Sequence, residues 1–118
     1  MITNKLKEVL ATYIKDNLDG GKVGTGGNST SPASTTLDVD AGGTPTVSVV
    51  KTDENIIEVK VTVSGSAITG KVIREMGLFD GSDMWARFNF SGVGPFSNTE
   101  VVEFFVVMEV EWNGCSNK

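Results

Sequence analysis

Apolar side chains recur along this chain with two different periods. Between residues 3 and 18, Leu6, Val9, Leu10, Tyr13, Ile14 and Leu18 follow the i, i+3, i+4, i+7 spacing that gathers one stripe on a helix. Thr3 or Asn4 can cap its start, and Asp19-Gly20-Gly21 is placed to end it, because glycine reaches the left-handed conformation that closes helices. From Thr44 the period drops to two. Val47 and Val49 alternate with Thr46 and Ser48, residues 51–55 supply a turn, and Ile57, Val59, Val61 and Val63 alternate with Glu58, Lys60 and Thr62. This pattern predicts a half-buried hairpin.

The segment from Ile68 to Phe90 predicts the best-defined hairpin. Its polar loop, Asp80 to Asp83, separates Leu78-Phe79 from Met84-Trp85. Before the loop, strict alternation puts Ile68, Val72, Met76 and Leu78 on one face and Glu75, Gly77 and Phe79 on the other. Arg74 then falls on the apolar face. A buried charge is costly without a partner, so the pattern predicts either a bulge near Arg74 or a carboxylate beside it. After the loop, Met84, Ala86, Phe88 and Phe90 share one face and Trp85, Arg87 and Asn89 the wetter one.

Beyond a loop at residues 91–98, Thr99 to Trp112 reads as the longest strand. Val102, Phe104, Val106, Met108, Val110 and Trp112 form an unbroken core face. The opposite face mixes Glu103, Glu109 and Glu111 with Val101, Phe105 and Val107. A strand apolar on one side and partly apolar on the other predicts a second packing partner, either the N-terminal helix or another subunit. The helix stripe likewise suits the chain's own sheet or the same helix in a neighbour.

Residues 22–45 break both patterns. They hold little that is large and apolar except Val23, Leu37 and Val39, too little to offset the entropy of ordering by themselves. The expectation is an extended Gly/Ser/Thr-rich arm or long loop that a neighbour stabilises, reaching across a subunit boundary. The chain thus divides into a helix (1–21), an arm (22–45), an antiparallel β-domain (46–112) and a polar tail (113–118). The fold class is α+β, mainly β, with an antiparallel sheet or sandwich of about five strands.

Composition narrows the chemistry. At 118 residues the chain is about one domain, able to bury a core without metal or disulfide support. A net charge of −5 argues against a phosphate-binding surface, so nucleic acid is not an expected partner. No apolar run approaches the roughly 18 residues of a membrane span, and the N-terminus lacks a basic region followed by an apolar block. Cys115 has no cysteine to pair with and no histidine to activate it. Gly24-Thr25-Gly26-Gly27 resembles part of a phosphate loop, but Ser29 stands where the third glycine of GxGxxG would fall and no Lys-Ser/Thr pair follows. Asp38 with Asp40, and Asp80 with Asp83, fall short of the six to eight oxygens of a calcium shell and read as solvated loop carboxylates. No catalytic, cofactor-binding or metal-ligating residue is nominated, and no cofactor is expected.

The order of segments resembles small virion structural proteins of tailed bacteriophages, particularly the N-terminal region of tail-fibre, tail-collar and baseplate-associated proteins. The matching pieces are Gly24-Thr25-Gly26 through Thr36-Leu37, then Gly70, Ile73, Glu75, Gly77-Leu78-Phe79-Asp80 and Ala86-Arg87-Phe88. The resemblance implies a non-enzymatic component, trimeric or ring-forming, that binds itself and other virion proteins of the tail or capsid. It would be assembled in the host cytoplasm and reside in the virion. Fibre-type members continue into a shaft and a receptor-binding tip, so the expectation turns to an adaptor in tail, fibre, baseplate or neck assembly. Capsid decoration is the alternative, and a small ligand-binding or enzymatic domain a lesser one. The candidate interface residues are Leu6, Val9, Leu10, Tyr13, Ile14, Val23, Leu37, Val101, Phe105 and Val107.

Overall fold

A computed structural model describes residues 1–111. Trp112, expected on the core face, and the polar tail with Cys115 lie outside the described residues. The fold is α+β and mainly β: among the described residues there are one α-helix, α1 (Asn4–Asn17), and six strands in two three-stranded antiparallel sheets. The strands are β1 (Gly20–Gly24), β2 (Thr46–Asp53), β3 (Ile56–Ser64), β4 (Ile73–Asp80), β5 (Asp83–Val93) and β6 (Val101–Glu109). One sheet has the order β1-β4-β5, the other β2-β3-β6.

The core lies between the sheets. From β3 come Val59, Val61 and Val63, from β4 Ile73, Met76 and Leu78, and from β6 Val102, joined by Val23 of β1 and Ile68. Phe104 and Val106 of β6, with Ala86, Phe88 and Phe90 of β5, pack on this cluster, and the Phe90 and Phe104 rings meet across it at 5.9 Å. The approach is close at β1. A Cβ on Gly21 would lie 2.9 Å from a Val47 methyl and 3.2 Å from both Val61 methyls, so glycine there lets the two sheets touch.

The helix closes one end of the sandwich. Thr3 caps it, its hydroxyl accepting the Leu6 N–H at 3.3 Å. Ala11, Ile14 and Leu18, spaced i, i+3, i+7, turn inward, Ala11 being fully buried and Ile14 and Leu18 joining the core. The neighbouring stripe of Leu6, Val9, Leu10 and Tyr13 stays exposed. The expected left-handed glycine terminator is not used: Leu18 caps the helix in an extended conformation, and Gly20-Gly21 open β1.

Several sequence expectations change in three dimensions. The hairpin loop is a two-residue turn, since Asp80 pairs with Asp83 and Gly81 takes φ +57, as a tight turn between twisted strands requires. The register slips between Ile73 and Glu75, leaving Arg74 exposed, so the bulge resolves the arginine on the apolar face. A second slip at Leu78/Phe79 releases Trp85 from pairing. The longest strand is β5, at 11 residues, rather than β6, at 9.

The largest departure is at residues 22–45. Gly20 to Gly24 pair with Phe79 to Glu75 of β4, and the remainder folds over the outer face of β4 and β5 within the same chain. Val23 is fully buried in the core, and Leu37 is buried beside Gly77, where a Cβ would come within 3.2 Å of its methyl. These two candidate interface residues are therefore buried within the subunit, and Ile14 is half-buried against its core. A Leu78→Ala change at the centre of the core should cost about 2–5 kcal/mol, read as a lowered urea midpoint at unchanged slope.

Candidate functional site

Glu75 on β4 is fully buried, the only charged side chain so placed among the described residues. Burial of a carboxylate demands that its lone pairs be met. Here the segment between β1 and β2 meets them. Oε2 accepts the Gly26 and Val39 N–H groups, each at 2.9 Å, while Oε1 accepts the Asp38 N–H at 2.9 Å and the Arg87 guanidinium. Four donors fill the roughly four acceptor positions of a carboxylate.

Arg87 on β5 reaches Glu75 because both lie on the outer face of adjacent strands, with Gly77 opposite Arg87 in register. It is itself nearly buried, contacts Asp38 Oδ2 at 3.0 Å and donates to the Thr36 carbonyl at 2.8 Å. Asp38 in turn accepts the Asn28 and Ser29 N–H groups, each at 2.8 Å, and the Ser29 hydroxyl. Asn89 closes the loop by donating to the Ser29 carbonyl. The Ser29 hydroxyl and the two N–H groups hold the Asp38 carboxyl at about 2, below its ordinary 3.8, with Arg87 a smaller influence.

The glycines that suggested a phosphate loop do cradle an anion through backbone amides, but the anion is the chain's own Glu75. A Cβ on Gly26 would stand 2.5 Å from the Asp38 Cβ and 2.7 Å from Glu75 Oε2, and one on Gly24 would collide with Glu75 Cγ at 2.6 Å. The other carboxylates weighed for calcium serve turns instead. Asp40 accepts the Gly42 N–H and lies 3.9 Å from Lys22, and Asp80 and Asp83 flank the β4-β5 turn. Among the described residues no three His, Cys, Asp or Glu side chains gather as a metal site.

Strand parity alone puts Glu75 and Arg87 on outward faces without joining them. The signal was present: both have outward parity on neighbouring strands, and alternation makes such residues neighbours. The donors from Gly26, Asp38 and Val39 could not be read, because they depend on where a long loop settles.

The exposed candidates form two surfaces. Leu6, Val9, Leu10 and Tyr13 line α1, where Tyr13 stacks on Trp85 with ring centroids 6.1 Å apart. Val101, Phe105 and Val107 occupy the outer face of β6, on the far side of the strand from the core. A third feature is an open groove of about 450 Å³ between Ser29–Ser34 and β5, lined by Trp85, Arg87 and Asn89.

Glu75→Gln should be strongly destabilising, by about 3 kcal/mol or more in urea, since either amide orientation aims an NH2 at two donors. Gly26→Ala should be destabilising by at least about 1–3 kcal/mol for steric reasons. The pH dependence follows from Asp38. Its lowered value contributes stability that is complete above about 3.8 and is lost as pH falls towards about 2. The urea midpoint should therefore drop across that window, and Asp38→Asn should flatten this part of the profile.

The chain was compared with models of protein families, with curated proteins and with solved structures, and none of the three comparisons found a match.

Proposed function

We propose that this chain is a non-enzymatic virion structural subunit, an oligomeric adaptor in the tail, fibre, baseplate or neck of a tailed bacteriophage. The observation that carries the reading is the division of labour between buried and exposed groups. The single buried carboxylate is saturated by its own chain, leaving no free lone pair for proton transfer. By contrast, twelve large apolar side chains are exposed among the described residues, four of them on α1 and three on the outer face of β6. Apolar surface of that kind is what subunit contacts consume.

The resemblance of Glu75, Gly77 to Asp80, and Ala86 to Phe88 to the phage pattern supports the same reading from another direction. Of these, Glu75 and Arg87 bind the glycine-rich segment and Gly77 leaves room for its Leu37, while Leu78, Ala86 and Phe88 face the core, so the motif has a physical role in folding an otherwise coreless loop onto a sheet. The adaptor would then present α1 and β6 on a rigid body to neighbouring subunits.

Imaging purified particles by electron cryo-microscopy, with mass spectrometry of their proteins, tests the proposal. The chain is expected as a symmetric component of the tail or its attachment. Density on the shell instead would move it to capsid decoration, and absence from particles would overturn a virion role.

A further inference from the structure

We infer that β6 pairs with β6 of a second copy, antiparallel about a two-fold axis at Phe105, joining two three-stranded sheets into one of six strands. This deepens the assembly reading and rests on it, by naming the partner of one surface.

The argument starts from sheet edges, which expose unpaired N–H and C=O groups and are normally blunted. Three of the four edges here are. Residues 39–41 run along β1, where Thr25 N–H donates to the Val39 carbonyl and Ala41 N–H to the Val23 carbonyl. β2 carries a bulge between Lys51 and Asp53 and touches α1 through Lys51 and Thr12. β5 slips register twice.

The fourth edge, β6, has none of these devices. Its nine residues, VVEFFVVME, pair with β3 in one unbroken register and contain no Lys, Arg or Pro. Parity fixes which groups are free. Val110 N–H donates to the Asn55 carbonyl at one end, and Gly65 N–H to the Glu100 carbonyl at the other, so even-numbered residues bond to β3. The backbone groups of Val101, Glu103, Phe105, Val107 and Glu109 therefore point away from it, and among the described residues no hydrogen bond reaches them. The same residues show apolar side chains that are 69%, 61% and 66% exposed at Val101, Phe105 and Val107.

Charge and overlap together select the register: centring on Phe104 also keeps the carboxylates apart, but it pairs only seven residues of each β6 and sets Glu109 against Thr99. Centred on Phe105, the two strands overlap over their full length, Glu103 faces Val107 of the second copy, and Glu109 faces Val101. No carboxylate meets a carboxylate. Centring on Glu103 sets Glu103 against itself. Shifting the centre to Val106 opposes Glu103 and Glu109, and shifting it to Val107 opposes Glu103 and Glu111. The full-overlap register satisfies ten backbone groups on each strand and is self-complementary, as a two-fold contact must be.

Light scattering on the purified full chain, coupled to size exclusion, is expected to give twice the 12.5 kDa chain mass. Phe105→Glu, which sets a carboxylate against its own copy, should return the chain mass with an unchanged β circular-dichroism spectrum. Val107→Lys should keep the dimer, because the new amine faces Glu103 of the second copy, whereas a nonspecific apolar contact would lose association in both variants.

Register is read by cross-linking in a Cys115→Ser background. Phe105→Cys should oxidise to a covalent dimer, since bonded partners lie ~5.5 Å apart at Cα, while Val101→Cys should not, its copies lying roughly 27 Å apart. A monomer, a trimer, loss of the dimer in Val107→Lys, or equal cross-linking at both positions would each overturn the inference. The two proposals fail separately. A monomer that is still found in particles removes the pairing and keeps the assembly role, and a dimer missing from particles does the opposite.

Discussion

The carboxylate of Glu75, enclosed by three backbone N–H groups and the Arg87 guanidinium, is the constraint on which the rest of the architecture depends. The segment between β1 and β2 is rich in Gly, Ser and Thr and offers too little apolar area to collapse by itself. What orders it is a set of charge-assisted hydrogen bonds around a fully buried carboxylate, where each is stronger than at the surface. A buried ion pair as such is weak evidence of net stability, because desolvation offsets much of the attraction. Its value here is specificity: only one path of the loop brings Gly26, Asp38 and Val39 to the same carboxylate.

That path has consequences for the sheet beneath. Five consecutive residues of β4, Glu75 to Phe79, are buried, because the core covers Met76 and Leu78 on one side, while on the other the loop covers Glu75 and Gly77 and Lys22 of β1 lies over the Phe79 ring. β4 is thus the central strand of a three-layered arrangement, although the sheet holding it has only three strands. The glycines at 24, 26 and 77 share one cause, the absence of room for a Cβ between loop and sheet. Asp38 extends the network outward to Asn28 and Ser29 and stiffens the tip of the loop.

With its polar chemistry used internally, the molecule keeps apolar groups for its surface. The helix spends only one of two adjacent stripes on the core. β6 spends its even-numbered residues on the core and leaves its odd-numbered ones outside. Both surfaces stand on elements anchored from behind, so contacts made there would cost little further ordering.

Periodicity by itself determined the helix, the alternation in β2, β3 and β6, the core face of each, and the reversal near Gly81, because these depend on neighbours a few residues apart. It also limited Arg74 to two outcomes, since a charge on an apolar face permits few. Tertiary structure alone decided that β1 exists, that the strands divide into two sheets, and that residues 22–45 fold onto their own chain. In these cases the partners of Gly26, Asp38 and Val39 lie 49, 37 and 36 residues away, and no local spacing encodes such a meeting. The same distance in sequence explains Val23 and Leu37: their apolar character was visible, but whether a neighbour or their own chain would bury it depended on where a carboxylate on another strand drew the loop.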